Sequence, residues 1–461
     1  MQFNHSDTIC ALATPAGQGA IAVIRISGSK AIEIVNSVFK GKDLLSVAPN
    51  TIHFGTVNDG ETILDEVLVS IFKAPKSYTG ENVVEISCHG SPYIKQAMVN
   101  LLIEKGCRSA DPGEFTQRAF LNQKMDLSRA EAVADLIAGE SESAHRLAMA
   151  QMRGDFAGEI QALREQLIKF ASLLELELDF SEEDVEFADR KELEELLLTV
   201  HKANQKLIES FRVGNVIKEG VPVVIAGKPN AGKSTLLNRL LKEDRAIVSS
   251  IEGTTRDAIE DTAVVGGITF RFIDTAGIRK AKDEIEAIGI EKTMAKMKSA
   301  SIVIYLFDLN SMSPSELKSI YSELSASAEE NNVLLILAAN KIDLFKGGKP
   351  EEKFAGYDDM FFLSALSNEG IEKMVERLVS LIETRRVNSG DVVVSNSRHF
   401  DALTKADEAV MNALNALKTG ITGDFVAMDI RQALHYLGLI SGQVTTDDLL
   451  DNIFSNFCIG K

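Results

Sequence analysis

Gly227-Lys228-Pro229-Asn230-Ala231-Gly232-Lys233-Ser234 decides how this chain is read. The octet fits G-x-x-x-x-G-K-[ST], the P-loop pattern. Its flanks fit as well. Val223-Val224-Ile225-Ala226 is a short apolar, β-branched run that predicts a buried parallel strand. Thr235-Leu236-Leu237-Asn238-Arg239-Leu240 follows with helical apolar spacing. A strand, a glycine loop and a helix N-terminus let backbone N–H groups surround phosphate oxygens in a favourable dipole field. Ala231, Gly232, Lys233, Ser234 and Thr235 are therefore candidate phosphate contacts. Lys233 would reach the β/γ-phosphates and Ser234 would hold Mg²⁺. The bland alternative is a chance match, and the flanking strand and helix argue against it.

Four further segments come in the order a guanine-nucleotide site requires. Gly253-Thr254-Thr255-Arg256-Asp257 offers Thr255 as the switch threonine, able to sense Mg²⁺ and the γ-phosphate. Asp274-Thr275-Ala276-Gly277 ends an apolar run, with Asp274 placed to reach Mg²⁺ through water and the Gly277 N–H to meet the γ-phosphate. Asn340-Lys341-Ile342-Asp343 supplies a carboxylate that can accept from guanine N1 and N2, a donor pair adenine lacks. Ser364-Ala365-Leu366 would support guanine O6 through a backbone N–H. Each motif is weak alone; the order, each at a strand end, selects GTP over ATP. Ile278 stands where Ras-like enzymes carry the glutamine that orients the attacking water, so another group must supply that help or hydrolysis is slow. Ras-like enzymes also receive positive charge at the transition state from an arginine finger, and a large hard cation could supply that charge here. The Asn230 side-chain oxygen lies in the P-loop, and the loop Ser249-Ser250-Ile251-Glu252-Gly253-Thr254 could fold over it and present backbone carbonyls.

The chain has 461 residues, enough for two to four domains with real cores. Hydrophobic content of 45% and charged content of 25% are ordinary for a globular protein. The net charge of −18 argues against broad nonspecific nucleic-acid binding, though not against a local basic patch. No apolar run is long enough to span a membrane. The N-terminus lacks a basic stretch followed by an apolar core, so no secretory signal is expected. Cys10, Cys88, Cys107 and Cys458 are scattered and form no CxxC pair, which favours a reduced, cytoplasmic protein over a disulfide or zinc framework.

The expected organisation is multidomain, α/β plus α+β. Residues 1–118 read as an α+β domain, with strands near Ala20 to Ile26, Val67 to Phe72 and Val83 to Ser87, then a helix running to about Lys105. Residues 119–216 read as helical, because Leu163, Leu167, Phe170 and Leu174, and then Leu193, Leu197, Val200, Leu207 and Phe211, recur at helical spacing. Residues 217–383 alternate strands and helices, with a hairpin turn at Gly266-Gly267, and predict a doubly wound P-loop domain. Residues 384–461 turn helical again, with one apolar face ending at Gly420 and another at Gly438. The economical reading is a nucleotide domain inserted into one discontinuous helical bundle; two separate helical domains are the alternative.

Taken whole, the chain resembles the MnmE (TrmE) family of bacterial tRNA-modification GTPases. The resemblance runs nearly the full length. It rests on Thr14-Pro15-Ala16-Gly17-Gln18-Gly19-Ala20-Ile21-Ala22-Val23-Ile24-Arg25-Ile26-Ser27-Gly28, on Pro112-Gly113-Glu114-Phe115, on Arg118-Ala119-Phe120-Leu121-Asn122, and on the terminal Cys458-Ile459-Gly460-Lys461. The resemblance implies a first domain that binds a tetrahydrofolate derivative, 5-formyl- or 5,10-methylene-tetrahydrofolate, through Arg25, Glu85, Lys124 and Lys461, and that forms the homodimer. It also implies that the chain acts with a flavoprotein, MnmG, on C5 of the wobble uridine (U34) of certain tRNAs. On the same resemblance, Glu286 would position water for hydrolysis. The large cation would be K⁺, held by Asn230, Ser249, Ile251 and Thr254, and it would drive dimerisation of the GTPase domains. Gln18 and Leu366 depart from the family's usual basic residues. Two other readings stay open: a ribosome-assembly GTPase of the Era or Der type, whose KH-like or second GTPase domain is not visible here, and a folate-dependent aminomethyltransferase acting on something other than tRNA. For Cys458, a nucleophilic role is one possibility, but the sequence assigns it no base.

Overall fold

The computed structural model describes residues 7–179, 189–243, 261–273, 294, 297, 300–383, 392–419, 423–455 and 457–461. The chain divides into two compact units: Met1–Ile137 with Gln151–Leu198 and Glu408–Lys461, and Ala138–Ala150 with Thr199–Asp407.

The first unit is built on a seven-stranded sheet. Its strands are β1 (Ile9–Leu12), β2 (Ile21–Ser27), β3 (Phe39–Lys40), β4 (Thr51–Asp59), β5 (Thr62–Phe72), β6 (Val83–His89) and β7 (Arg108–Ser109), in spatial order β3-β4-β5-β6-β2-β1-β7. All neighbours are antiparallel except β1 and β7. Period-two alternation separates the two faces. Ala22, Ile24 and Ile26 of β2, Val67, Val69 and Ile71 of β5, and Val84, Ile86 and Cys88 of β6 point into one core with helices Ala31–Val38 and Pro92–Glu104. The other face carries a continuous row, because directly paired residues share a face: Ile52 opposite Ser70, Ser70 opposite Glu85, Glu85 opposite Arg25, Arg25 opposite Ala11. The next row reads Phe54, Leu68, Ser87 and Val23. Helices Glu114–Leu121 and Asp447–Phe454 pack in this unit, with Leu127, Ala130, Leu450 and Phe454 forming a small core of their own.

Helix Asp155–Asp179 lies along helix Gly423–Ser441. Arg431 Nη2 pairs with Glu175 at 2.8 Å, Gln443 Nε2 donates to Gln161 at 2.8 Å, and the buried Arg164 donates to the Leu434 carbonyl. This corrects one expectation. The apolar face predicted to end at Gly438 belongs to a helix that continues to Ser441. A Cβ at Gly438 would stand 2.7 Å from Arg164 Nη1, so this glycine serves close packing, and Gly442 at φ +80° marks the end of the helix.

The second unit holds a six-stranded sheet of β8 (Val221–Ala226), β9 (Asp261–Val265), β10 (Ile268–Phe272), β11 (Ile302–Asp308), β12 (Leu334–Asn340) and β13 (Met360–Phe362), in order β13-β12-β11-β8-β10-β9. Every pairing is parallel except the β9–β10 hairpin, which turns at Gly266-Gly267 as expected. Both faces are covered, as such a sheet demands. Ile302, Ile304 and Leu306 of β11 join Leu236, Leu237, Leu240, Met374 and Leu378 in one core. Val303, Tyr305 and Phe307 join Leu317, Ile320 and Leu324 in the other. The helices involved are Lys233–Glu243, Pro314–Asn331 and Ile371–Glu383. Helix Arg190–Glu219 runs past the expected junction at residue 216, and its Phe211 stacks on Phe400 with centroids 4.4 Å apart.

Candidate functional site

The glycine loop sits where the sequence expects it, between the end of β8 and helix Lys233–Glu243. Its backbone is tightly specified. Gly227 and Gly232 adopt φ +143° and +101°, and Asn230 adopts φ +61°. A Cβ on Gly227 would collide with the Leu306 carbonyl of the neighbouring strand, and one on Gly232 with Asn340 Nδ2. Only glycine leaves the loop free to close around a phosphate-sized group. Lys233 Nζ lies over this cradle, donating to the Gly227 carbonyl at 2.8 Å and the Lys228 carbonyl at 3.0 Å. Ala231 is buried, while Ser234 and Thr235 line the helix start with partial or full exposure.

Asn340, at the end of β12, joins two loops. Its Nδ2 donates to the Ala231 carbonyl at 2.7 Å, and its Oδ1 accepts from the Ala365 N–H at 2.9 Å. Asn340 is buried, so both bonds are well shielded from water. Lys341 takes a left-handed backbone conformation, and its Nζ meets Asp308 Oδ2 at 2.8 Å. Burial works to raise the Asp308 pKa, but Lys341 and the donors of Asn310 outweigh it and hold the carboxyl below its ordinary value. Asp343 comes next, in an exposed 3₁₀ turn, Ile342–Leu344. Ser364 is buried; its N–H donates to the Glu369 carbonyl at 2.9 Å, and its hydroxyl accepts from the Ser367 N–H at 3.1 Å. The structure thus brings the P-loop, Asn340, Lys341, Asp343 and the Ser364-Ala365-Leu366 loop to one edge of the sheet. Ser249, Ser250, Ile251, Glu252, Gly253, Thr254, Thr255, Asp274, Thr275, Ala276, Gly277 and Glu286 lie outside the described residues. Sequence reading missed Asp308 and Arg239; an acidic residue closing an apolar strand was the only signal for the first.

A second cluster lies on the other face of the first unit's sheet. Arg25 and Glu85 stand directly opposite each other on β2 and β6. Arg25 Nη1 also donates to the Gly460 carbonyl at 3.3 Å, and its guanidinium lies 5.3 Å from the Tyr78 ring centroid and 5.7 Å from that of Phe115. The end of the chain is held by backbone bonds: Gly113 N–H to the Cys458 carbonyl at 3.4 Å and Phe115 N–H to the Lys461 carbonyl at 3.2 Å. Cys458 itself is exposed, and Cys10, Cys88 and Cys107 are buried. Lys124 Nζ donates to the Pro75 carbonyl at 3.0 Å, which ties it to the 73–82 loop that carries Tyr78. Beneath the turn, Glu114 accepts from Arg108 and Arg118, and Asp7 and Glu81 complete the network. Arg25, Glu85 and the 458–461 tail therefore converge. Tyr78 and Phe115 were not singled out as site residues, since nothing in their own spacing marks them.

Among the described residues, no cluster of metal-ligating side chains is present, and no helix is long and apolar enough to cross a membrane.

The glycine cradle on a doubly wound sheet, with an Asn-Lys-x-Asp turn beside it, defines a P-loop protein of the GTP-binding class. Comparison with known proteins narrows this. A family model described as the MnmE helical domain matches residues 127–458, and one described as the GTP-binding protein TrmE N-terminus matches residues 8–124. Relatives each named tRNA modification GTPase MnmE include one from Cytophaga hutchinsonii, 53% identical over 462 residues and covering 99% of this chain and 98% of its own. Those from Christiangramia forsetii and Bacteroides thetaiotaomicron are 52% and 50% identical over 471 and 468 residues, covering 99% of this chain and 99% and 100% of their own. The chain belongs to the MnmE (TrmE) family of tRNA modification GTPases.

Proposed function

We propose that this protein hydrolyses GTP to drive a C5 modification of the wobble uridine (U34) of tRNA, in partnership with the flavoprotein MnmG. The group added is aminomethyl or carboxymethylaminomethyl, with the one-carbon unit carried by 5-formyl- or 5,10-methylene-tetrahydrofolate. The observation that carries the folate part is the convergence of Arg25, Glu85 and the 458–461 tail beside two aromatic rings. A carboxylate suits the donor edge of a pterin, aromatic faces suit its flat ring, and basic groups suit the glutamate tail. Arg25, Glu85, Lys124 and Lys461 are the residues assigned to that ligand.

The nucleotide roles rest on the loop geometry. Lys233 and the N–H groups of Asn230 to Thr235 cradle the phosphates, Asp343 reads the guanine N1 and N2 donors, and Asn340 holds the two loops together. Ser234 and Thr255 would hold Mg²⁺, which supplies positive charge to the phosphate oxygens when bound. Asn230, Ser249, Ile251 and Thr254 would hold K⁺, and Glu286 would orient water. The K⁺-closed loop is the reading for GTPase-domain dimerisation.

Homodimerisation through the first unit has its own support. Ile52 and Phe54 are 66% and 67% exposed, and both lie with Leu68 on the open face of the sheet. Large apolar side chains grouped on one uncovered face suit a partner of the same kind.

The test is reconstitution. Purified protein, MnmG, unmodified tRNA, 5,10-methylene-tetrahydrofolate, an amine donor and GTP should yield the C5-modified uridine by mass spectrometry. Omission of either folate or GTP should abolish it; product formed without folate would contradict the one-carbon route.

A further inference from the structure

The carbonyls of the base-recognition loop are gripped from outside. Arg239 lies on helix Lys233–Glu243, six residues after the P-loop lysine. Its Nη2 donates to the Leu366 carbonyl at 2.7 Å, and its Nε lies 3.5 Å from the Ala365 carbonyl. The second of these matters most. The Ala365 carbonyl belongs to the peptide unit that also contains the Leu366 N–H. In a trans peptide the C=O and N–H point in opposite directions. A guanidinium on the carbonyl side therefore leaves that N–H facing away from Arg239.

The neighbouring donors are already committed. Leu363 N–H goes to the Ala339 carbonyl, Ser364 N–H to Glu369, Ala365 N–H to Asn340 Oδ1 and Ser367 N–H to Ser364 Oγ. Among the described residues, Leu366 N–H is the donor of this stretch that meets no protein acceptor. It is thus the group of the loop able to serve a purine O6.

We propose that Arg239 is a positioning residue for guanine recognition. It holds the Ala365–Leu366 peptide so that the Leu366 N–H is aimed at O6, and it does so from the same helix that carries Lys233 and Ser234. The phosphate and base subsites are then set by one rigid element, which is the arrangement that keeps a hydrogen bond's geometry without further ordering cost. The proposal rests on reading this edge of the sheet as a guanine-nucleotide site. A backbone contact aimed by Arg239 does not depend on the Leu366 side chain.

The experiment compares two nucleotides. GDP offers O6 and the N1–H; the diphosphate of 2-aminopurine riboside keeps the 2-amine and lacks both, so the comparison is of the change each substitution causes and not of absolute affinity. Dissociation constants are measured by calorimetry for wild type, Arg239→Ala and Arg239→Lys in full-length protein. Arg239→Ala should weaken GDP about tenfold, the loss of roughly one well-formed hydrogen bond. It should change the 2-aminopurine nucleotide less than about twofold, a difference too small to represent a lost bond. Arg239→Lys, with a single ammonium able to reach Leu366 O, should recover part of the GDP affinity. Equal weakening of both nucleotides, or no change in either, would overturn the proposal. A wild type that does not prefer GDP to ADP would instead reject the nucleotide-site reading on which it rests.

Discussion

Arg25 and Glu85 face each other across β2 and β6, Nε to Oε1 at 2.9 Å, on the sheet face opposite the one packed by helices Ala31–Val38 and Pro92–Glu104. Both side chains retain some access to solvent, at 17% and 26%. An ion pair of this kind contributes little to stability, so its value is as a preformed donor and acceptor set. Arg25→Ala or Lys124→Ala should weaken 5-formyltetrahydrofolate by the loss of one charge-assisted bond, about 1.5–3 kcal/mol, and leave GDP affinity alone. Calorimetry with both ligands decides it; unchanged folate affinity in both variants would remove the assignment.

The turn that grips the chain's end is braced by Glu114, whose carboxylate lies between Arg108 at 2.5 Å and Arg118 at 2.8 Å. Burial would raise its pKa, but Arg108, the Asp111 N–H and Arg118 together pull it below the ordinary 4.5. A carboxyl depressed in the folded state contributes stability that is complete above its unfolded pKa and is lost as pH falls through the folded value. Glu114→Gln should therefore cost about 3 kcal/mol near neutral pH, the scale for removing one partner of a buried pair. The gap from wild type should close on acidification below 4.5. Denaturant titrations from pH 7 down to about pH 3 measure it; a gap independent of pH would mean the effect is not one of charge.

Base selectivity should track Asp343. In Asp343→Asn the amide can donate to the xanthine oxygen that replaces the guanine amine, so preference should shift from GTP toward XTP. Competition binding with the two nucleotides is sufficient, and a variant that still prefers GTP would exclude Asp343 as the base reader.

Much of the second unit was legible because its signals are local. The P-loop, its flanking strand and the Gly266-Gly267 turn are carried by consecutive residues, and β11 alternates cleanly between two cores. The first unit was harder to read. Strand β4 went unseen because its buried positions are Gly55 and Val57 while Ile52 and Phe54 face outward, the reverse of the usual pattern. The row from Ile52 to Arg25 joins four strands through register, which no stretch of sequence displays. Gly438 read as a stop because a glycine's packing role is invisible until Arg164 is seen against it. Arg239 carries no local signal for a similar reason: its partners are carbonyls 126 and 127 positions away.

Hydrolysis without a glutamine at position 278 requires other help. Glu286→Ala should abolish turnover while retaining GTP binding, and Glu284→Ala should have a milder effect. Wild-type turnover at constant ionic strength should be stimulated strongly by KCl and not by NaCl, and Asn230→Lys should lose its dependence on K⁺. Equal wild-type rates in the two salts would eliminate the cation, and wild-type turnover in Glu286→Ala would eliminate the carboxylate.

The central claim is that GTP hydrolysis by this protein serves modification of the wobble uridine. Nucleoside mass spectrometry of total tRNA tests it most directly, in cells lacking the protein and in the same cells supplied with wild type or Asp343→Asn. The account predicts that aminomethyl- and carboxymethylaminomethyl-uridines disappear in the deletion, return with wild type and do not return with the variant. Deletion cells whose tRNA retains those nucleosides at wild-type levels would contradict it.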